Sequence, residues 1–511
     1  MTLQDALKAA LQAVNTLLSL ANRLRSLLSR LSSAPGLPVP HPTEPYWLSN
    51  PPHAEPRDAL PPTADIVIIG SGIAAAATAH ALLELEPDLR VVVLEARRLC
   101  SGATGRNGGH VKVVPYHELS RLALRFGHQT ARRLVRFQLM HLPALLRLGA
   151  RYPEAEVREV ETSDFFVDVQ DWHAAQREVE AMRPWLPDVS ISVLDGSEAR
   201  LKTGAGPMIA GAVSYTAGAL WPYRLIASVW HELRSRHSAT LSICTQTPVE
   251  AVEKNGTSLL VRCRSDSTIT ARHVVHATNA YAGQLVPLLR RLLTGVLGHM
   301  TAQRPGPTFP VNAHGRKSWS VIYPSSEGFD YATQRPDRTD GSPGDVLLGG
   351  GLFRSLDGGL DQVGVWDDSR LDALPLMHLR GSLSAIFQPE CSASAETGAT
   401  WSGIMGFTGD GIPLVGRLPD QTRTRKRKKK TTDGQEWIIA GFNGEGMVWA
   451  WLSGAALAVM LAGRENEALP PGEGGRPGGK LADWFPAEEL AVDKARLRRA
   501  ELRNLAGLVM A

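Results

Sequence analysis

The segment Asp65-Ile66-Val67-Ile68-Ile69-Gly70-Ser71-Gly72-Ile73-Ala74-Ala75 decides the fold of this 511-residue chain. Its apolar run 66–69 is typical of a parallel strand that is buried on both faces. Residues 74–85 are rich in alanine and leucine and contain no proline or glycine, which predicts a helix. Residues 90–95 (RVVVLE) predict a second strand. Strand, glycine turn, helix and strand form a βαβ unit, so we predict an α/β fold with a Rossmann-like domain.

The glycines of the turn predict a dinucleotide site. Gly70 permits the tight turn, and Gly72 lets the backbone approach a diphosphate at the helix N-terminus, where free N–H groups favour an anion. Ala75 allows helix and strand to pack closely. The carboxylate of Glu95, at the end of the second strand, can accept hydrogen bonds from ribose hydroxyls and repels a 2′-phosphate. The residues predicted to bind the cofactor here are Gly70, Gly72, Ile73, Ala74, Ala75 and Glu95.

Composition excludes several classes of protein. With 43% hydrophobic and 21% charged residues, the chain can bury a large core, and its length favours more than one domain. The formal net charge is +4, but seven of the positive charges lie in residues 423–430, so we predict no nucleic-acid-binding face. The four cysteines lack CxxC spacing, which argues against a metal site and against secretion.

Four segments flank or interrupt the predicted folded part. Residues 1–34 predict an amphipathic helix packed on the body of the protein, with a mitochondrial transit segment as the alternative. Residues 35–62 are a proline-rich, extended lead-in. The basic run 423–430 predicts a solvated loop, with a nuclear signal or an anionic partner as the alternative. Residues 466–511 predict a flexible, glycine-rich linker followed by a basic C-terminal helix.

The apolar run 447–463 raises the question of a membrane span. Its length, about 17 residues, is at the lower limit for crossing ~30 Å of hydrocarbon. Ser453 and Gly454 weaken that interpretation further. We therefore predict a buried helix and no membrane span, and a cytoplasmic location with mitochondrial targeting as the alternative.

The residues after Glu95 separate two classes of cofactor. The run 96–110 (ARRLCSGATGRNGGH) is rich in small residues, whereas a nicotinamide enzyme usually begins another helix at this point. A backbone with such small side chains can lie directly against a ligand. Here the sequence resembles the FAD-dependent oxidoreductases of the D-amino-acid oxidase type. It is most similar to their fungal branch and to relatives that oxidise amines such as glutamylputrescine. The resemblance implies that the cofactor is FAD and that it is bound by Ala96, Arg97, Gly102, Ala103, Thr104, Arg106, Asn107, Gly108 and Gly109.

Further segments resemble this family in the family's order. Residues 218–224 are similar to the stretch before the third parallel strand, and residues 274–281 to the turn that closes over the adenosine half of FAD. Residues 401–416 and 441–447 resemble the last two motifs. The resemblance covers about residues 38–465.

The last motif implies a third group of FAD contacts, made by Gly444, Gly446 and Met447. A glycine loop that leads into the apolar helix would point the positive end of the helix dipole at the flavin and stabilise the reduced ring. Glu445 departs from the family pattern. A carboxylate near an anionic flavin is unfavourable, so we expect its side chain to face away or to pair with a cation.

The resemblance also implies a discontinuous FAD-binding domain and an antiparallel-sheet substrate domain that forms a roof over the flavin. We assign residues 63–115, 200–290 and 400–465 to the FAD-binding domain. Residues 116–199 and 291–399 form the substrate domain.

The implied reaction is oxidation of a C–N bond in a small amine or amino acid, with a hydride passing to flavin N5 and O₂ reoxidising the flavin to give H₂O₂. His110 is a candidate for tuning the protonation of flavin or substrate, or else a structural contact. For the side chain of Tyr331 two expectations stay open: it faces the flavin, or it lies in the core or on the surface. Arg354 is a candidate clamp for a substrate carboxylate, although an arginine after a glycine run has other uses.

Other functions stay open at this point. The reaction could be a tailoring step in secondary metabolism. A turnover-deficient flavoprotein that serves as a binding or assembly module is a different class of function. Glu95 also permits an NAD-dependent dehydrogenase, although the run 96–110 argues against it.

Overall fold

A computed structural model describes residues 3–264, 266–307, 309, 315–324, 328–388, 396–419 and 434–502. The basic run 423–430 lies outside these residues. The described helices are α1 (Leu3–Ser32), α2 (Ile73–Leu85), α3 (Pro115–Phe126), α4 (His128–Leu139), α5 (His141–Gly149), α6 (Val169–Met182), α7 (Gly196–Thr203), α8 (Pro222–Arg236), α9 (Ala373–Ile386), α10 (Ala450–Leu461), α11 (Leu481–Trp484), α12 (Ala487–Leu490) and α13 (Lys494–Arg499).

The strands fall into two sheets. The first contains β1 (Thr63–Ile69), β2 (Val91–Leu94), β7 (Leu241–Cys244), β8 (Val249–Asn255), β9 (Ser258–Cys263), β10 (Thr268–His276), β16 (Leu414–Arg417) and β17 (Gln435–Ala440). The second contains β3 (His110–Val111), β4 (Arg158–Phe166), β5 (Ile191–Asp195), β6 (Gly211–Ala219), β11 (Leu293–Arg304), β12 (Lys317–Ile322), β13 (Phe329–Gln334), β14 (Val346–Gly350) and β15 (Glu396–Thr408).

The first sheet confirms the predicted Rossmann-like unit. Its strands follow the order β16-β17-β10-β1-β2-β7, and those from β17 to β7 are parallel. The run 66–69 is buried, as expected for a strand covered on both faces. Helix α2 connects β1 to β2, and α8 leads into the third parallel strand, β7.

Helix α10 is the buried helix predicted from the apolar run 447–463. It packs on α2 so closely that a Cβ at Gly454 would lie 2.6 Å from the Cβ of Ala77 and 2.8 Å from the carbonyl oxygen of Ala74. Only small residues permit this approach, which explains the alanine-rich sequence of both helices. Within the part of the chain that the structure describes, no helix combines the length and the apolar character that crossing a bilayer requires.

The second sheet follows the order β15-β11-β14-β13-β12-β4-β6-β3, with β5 paired to β6. Adjacent strands in this sheet are antiparallel, as predicted, except for β4 and β12, which are parallel. One face packs on Phe387 of the α9 region through Phe165 and Trp319. Strands from different predicted domains pair with one another in this sheet. Strand β6 comes from the segment 200–290, which we assigned to the FAD-binding domain, but it pairs along its whole length with β4 of the substrate domain. The segment boundaries therefore differ from the prediction at β6, and again at β15, which begins before residue 400 and pairs with β11.

Two predictions about the flanking segments need correction. Helix α1 does not pack on the body along its length. Its last turns are attached to the body: Arg23 pairs with Asp357 at 2.8 Å, and Arg30 Nε donates to the carbonyl of Val363 at 2.9 Å. Many of its apolar side chains stay exposed, because these contacts come from its polar face.

The C-terminal segment is neither a flexible linker nor one helix. Residues 470–479 are fixed by hydrogen bonds: Trp451 Nε1 donates to the carbonyl of Gly474 at 2.7 Å, and Gly472 N donates to that of Arg476 at 2.9 Å. Three short helices, α11, α12 and α13, follow in place of the single predicted helix, since Pro486 separates the first two.

Candidate active site

The glycine turn between β1 and α2 has the geometry that its sequence predicts. Gly70 has φ +104°, and a Cβ there would lie 2.7 Å from the carbonyl oxygen of Ala277. A Cβ on Gly72 would lie 2.9 Å from Oγ1 of Thr104. The same hydroxyl accepts a hydrogen bond from Ile73 N at 2.9 Å. Thr104, assigned to the cofactor from the second motif, therefore lies at the N-terminus of α2, in which Ala74 and Ala75 form the first turn.

Glu95 is half-buried at the end of β2, as predicted. Its Oε2 accepts hydrogen bonds from Ser71 N at 3.1 Å and Ser71 Oγ at 2.6 Å, and its Oε1 accepts one from Arg97 N at 2.9 Å. The carboxylate is thus fixed beside the glycine turn, next to half-buried Ala96. A carboxylate held at this point is placed to receive ribose hydroxyls.

The side chains of Arg97 and Arg106 are held by one buried carboxylate. Arg97 donates to both oxygens of Asp368 at 3.0 Å, and Arg106 Nε lies 3.3 Å from the same carboxylate. Arg106 also donates to the carbonyls of Ser402 and Thr43, each at 2.7 Å. All three charged groups are buried. The two arginines tie the predicted cofactor motif to distant segments, and their contact with FAD stays a prediction.

This buried network makes a prediction about stability. We expect Asp368→Asn to lower the free energy of unfolding by about 3–5 kcal/mol, because two buried guanidinium groups lose the carboxylate between them. Asp367→Asn is the matched control, since Asp367 Oδ1 accepts bonds from neighbouring Ser369 at the surface, and we expect a change within about 0.5 kcal/mol. Chemical denaturation followed by fluorescence measures both values. Equal stabilities of the two variants would contradict the role of Asp368.

Asn107 links the second motif to the last one. Its Nδ2 donates to the carbonyls of Ala103 and Thr104 at 3.2 and 3.0 Å, and its Oδ1 accepts from Gly109 N at 2.7 Å. The same Nδ2 lies 3.9 Å from Sδ of Met447. The structure therefore brings together residues from two predicted FAD contacts that are far apart in the chain.

Tyr331 and His110 border this motif. A Cβ on Gly108 would lie 2.6 Å from the Tyr331 ring, whose hydroxyl donates to Met300 Sδ at 3.1 Å. His110 lies on β3, and its buried Nε2 has no hydrogen-bond partner among the described residues. Burial, with a contribution from the charge of Lys112, holds the pKa of His110 well below its ordinary value. His110 is therefore neutral at physiological pH.

A row of polar side chains that the sequence did not identify continues from Tyr331. Strand register places Tyr331 beside Ser320, and Ser320 beside Asp164, so the three point to one face of the second sheet. Lys112 forms an ion pair with Asp164 and donates to Ser320 Oγ at 2.6 Å.

The carboxylate of Asp164 is saturated with donors. Besides Lys112, it accepts hydrogen bonds from the hydroxyls of Tyr116 at 2.8 Å and Tyr215 at 2.7 Å. The sequence carries a signal for Lys112, because it follows His110 by two positions and side chains alternate in an extended chain, which puts both on the same side. Asp164, Tyr116 and Tyr215 carried no such local signal.

The remaining predicted site residues border open space or lie elsewhere. A Cβ on Gly102 would meet no described atom within 4 Å, and one on Gly444 would meet none closer than 3.6 Å. Ala103 is exposed. Arg354 is exposed, and its guanidinium lies over the ring of Phe353 at 4.9 Å. The structure does not bring Arg354 into the buried polar row, so we do not carry the carboxylate clamp further.

The loop that contains Gly444 and Gly446 is held by Asn279, which the sequence did not single out. Asn279 has φ +47° and its Oδ1 accepts a hydrogen bond from Gly441 N at 2.9 Å. A Cβ on Gly406 would lie 2.5 Å from the same oxygen. One amide side chain thus joins the adenosine-side turn to the last two family-like motifs.

The surroundings of Glu445 favour the protonated form of its carboxyl group. Its Oε2 accepts a hydrogen bond from Gln138 at 3.3 Å, so the side chain turns toward α4. Burial and the neighbouring carboxylate of Glu118 raise its pKa to about 8, although Arg121 opposes the shift. Of the two arrangements expected, the side chain faces α4, and the nearby cation Arg121 binds Glu118 at 2.8 Å.

The raised pKa of Glu445 predicts a pH dependence of stability. The native state keeps a proton that the unfolded state releases above the ordinary pKa of 4.5. The free energy of unfolding should therefore fall as the pH rises from about 4.5 to about 8. We expect Glu445→Gln to remove this fall and to be more stable than the parent by about 1–3 kcal/mol above pH ~8.

Urea denaturation between pH ~5 and ~9 measures this effect. Glu180→Gln is the matched control, because Glu180 is exposed, and its stability should follow the parent at every pH. A Glu445→Gln curve parallel to the parent curve would show that Glu445 ionises normally.

The residues of the site fit FAD. The turn at Gly70 and Gly72 leaves no room for a side chain, as close approach of a diphosphate requires. Two buried polar atoms beside the motifs, His110 Nε2 and Thr278 Oγ1, have no hydrogen-bond partner in the described part of the chain and would gain one from a polar ligand. The short helical turn Gly446–Val448 and α10 begin where Met447 meets Asn107.

Comparison with known proteins identifies the family. A model of the DAO family, described as FAD dependent oxidoreductase, matches residues 65–460. Gamma-glutamylputrescine oxidoreductase of Escherichia coli (strain K12) is 25% identical over 227 residues, 44% of this chain and 51% of that protein, so the match spans about half of that relative.

Solved structures share the fold. Glycine oxidase from Geobacillus kaustophilus has a TM-score of 0.59 at 19% identity, over 80% of this chain and 96% of that one. L-proline dehydrogenase from P. horikoshii has a TM-score of 0.61 at 18% identity, over 87% of this chain and 100% of that one. Because the family model spans most of the sequence and both halves of the glycine-lined site, this chain belongs to the DAO family of FAD-dependent oxidoreductases.

Proposed function

We propose that this protein oxidises the C–N bond of a small amine or amino acid. Family membership makes it an FAD-dependent oxidoreductase and removes the NAD-dependent alternative. The curated relative is named for an amine substrate, gamma-glutamylputrescine. Bound FAD would accept a hydride from the carbon attached to nitrogen, and O₂ would take up the two electrons to give H₂O₂.

The observation that carries the proposal is the buried polar row above Gly108. Tyr331, Ser320 and Asp164 lie side by side on the sheet face that contacts the cofactor motif, since Thr333 on the same face donates to the Gly108 carbonyl at 2.6 Å. Lys112 completes the row. Because Asp164 is saturated, Tyr331, Ser320 and Lys112 are the groups of this surface that would hydrogen-bond to a polar substrate, while the surrounding core excludes water.

His110 is a neutral hydrogen-bonding group and a weak base. A C–N bond is oxidised from the neutral amine, so the ammonium form of a substrate must lose a proton first. Burial and the charge of Lys112 hold the pKa of His110 well below its ordinary value, so the imidazole resists protonation and the substrate has to bind as the neutral amine. Lys112 cannot take up the proton while Asp164 holds it as an ammonium. We therefore assign substrate positioning to the row and a hydrogen bond to flavin or substrate to neutral His110.

Anaerobic titration tests the proposal. The purified protein should contain FAD, and an amine or amino acid should bleach the visible absorption band of the oxidised flavin. Readmitting air should restore the band and release H₂O₂. His110→Gln should keep its FAD, and in both proteins the rate of flavin reduction should rise with pH toward the pKa of the free substrate amine. FAD that no amine or amino acid reduces would favour the turnover-deficient binding module. A role in secondary metabolism stays a prediction.

A further inference from the structure

We propose that helix α1 is a self-association element, which forms a coiled coil with α1 of a second copy of this chain. The helix contacts the described body through its last turns and runs about 45 Å at 1.5 Å per residue. Six of its side chains that would normally be buried are more than half exposed. They are Leu11 (56%), Val14 (51%), Leu17 (65%), Leu18 (58%), Leu24 (57%) and Leu28 (54%).

The sequence of α1 carries an uninterrupted heptad repeat. Apolar residues alternate at spacings of four and three through four heptads: Leu3, Leu7, Ala10, Val14, Leu17, Ala21, Leu24, Leu28 and Leu31. Val14 and Leu28 then occupy a positions, and Leu17 and Leu24 occupy d positions. The b, c and f positions carry most of the polar residues. This is the pattern by which two helices pack knobs into holes.

The period of the repeat favours a helix partner over a lipid surface. A helix that lies on a membrane needs apolar residues at an average spacing of 3.6, and a strict spacing of 3.5 drifts by about 20° per heptad relative to a straight helix. Over four heptads the apolar stripe of α1 would turn away from a flat surface, whereas a supercoiled partner follows it.

The charges of α1 also favour a helix partner over a lipid surface. A membrane-bound helix turns its basic residues toward anionic headgroups. In α1 the c-position residues Arg23 and Arg30 are instead bound to the body of the same chain, to Asp357 and to the carbonyls of Leu360 and Val363. The polar face is thus directed at the protein, while Val14, Leu17, Leu24 and Leu28 at the a and d positions remain exposed.

The size of the apolar face is sufficient for a stable interface. About half the circumference of a cylinder ~10 Å wide and ~45 Å long is roughly 700 Å². One partner of a standard protein interface contributes about 800 Å². Apolar residues also occupy e and g positions, for example Leu18 and Leu27, which widens the face beyond a narrow a/d seam.

Light scattering coupled to size exclusion tests the inference on the full-length protein. We expect the parent to have at least twice the mass of one chain at micromolar concentration. Val14→Glu/Leu17→Glu places two charges at a and d positions and should raise the dissociation constant by on the order of 100-fold or more. The matched control, Gln12→Glu/Ser19→Glu, adds the same charge at exposed f positions and should keep the parent mass.

Three results would overturn the inference. They are a monomeric parent, an oligomer that Val14→Glu/Leu17→Glu leaves intact, and a monomer that sediments with vesicles of phosphatidylglycerol and phosphatidylcholine. Because α1 lies outside the core, far-UV circular dichroism and bound-flavin absorbance should be the same in both variants, which excludes unfolding as the cause of dissociation. The test does not depend on the substrate.

Discussion

Gly72→Val is expected to abolish stable FAD binding. The new Cβ would lie 2.9 Å from Thr104 Oγ1, and the valine methyl groups would occupy the space in which a diphosphate approaches the backbone. If the valine pushes the turn away from the ligand, the diphosphate loses about two hydrogen bonds from the backbone. Each hydrogen bond to a charged group contributes about 1.5–3 kcal/mol. The loss of roughly 3–6 kcal/mol corresponds to a dissociation constant higher by on the order of 100- to 10,000-fold.

Flavin content after purification, and titration of the apoprotein with FAD, measure this effect. Gly381→Val serves as the matched control, because a Cβ at Gly381 on α9 meets no described atom within 4 Å. It should retain its full flavin content. A yellow Gly72→Val protein with the parent affinity would show that the dinucleotide does not lie at the N-terminus of α2.

Lys112→Met is expected to have the largest effect on stability among single changes in the polar row. It leaves the buried carboxylate of Asp164 without its cation, while the hydroxyls of Tyr116 and Tyr215 and the Ser320 side chain remain nearby. Removal of one partner from a buried ion pair costs about 3–5 kcal/mol. Unfolding in urea measures this loss.

A double variant separates the ion pair from packing. In Lys112→Met/Asp164→Asn the pair is neutral, and the amide oxygen still accepts from both tyrosines, so we expect recovery of about 2 kcal/mol or more relative to Lys112→Met. Lys317→Met on β12 is the matched control. Lys317 forms a long contact with Glu161, at 3.8 Å near the surface, and its loss should cost about 0–1 kcal/mol. A double variant less stable than Lys112→Met would contradict a mainly electrostatic role.

The features that sequence predicted well are those with local causes. The βαβ unit at residues 63–94 follows from an apolar strand, a glycine turn and a helix whose residues are neighbours in the chain. The buried helix α10 followed from length and composition. Family-like motifs extended these predictions to Met447, which indeed lies beside Asn107.

The contacts that sequence did not predict depend on partners far away in the chain. Arg97 and Arg106 lie in the predicted cofactor motif, but the carboxylate that binds their side chains, Asp368, comes from a loop 271 residues after Arg97. Asp164 reaches the site only because β4 pairs in parallel with β12. No spacing rule predicts such pairings, since strand order in a mixed sheet is set by the whole fold.

The contact between α2 and α10 affects how the protein is made. This contact brings together residues near 77 and 454. The glycine-lined site is therefore incomplete until the ribosome has translated almost the whole of the family-matched region. During that time the first βαβ unit exposes apolar surface that only late residues cover, and such long-range closure is slow. We therefore expect FAD to be bound only after this contact has formed.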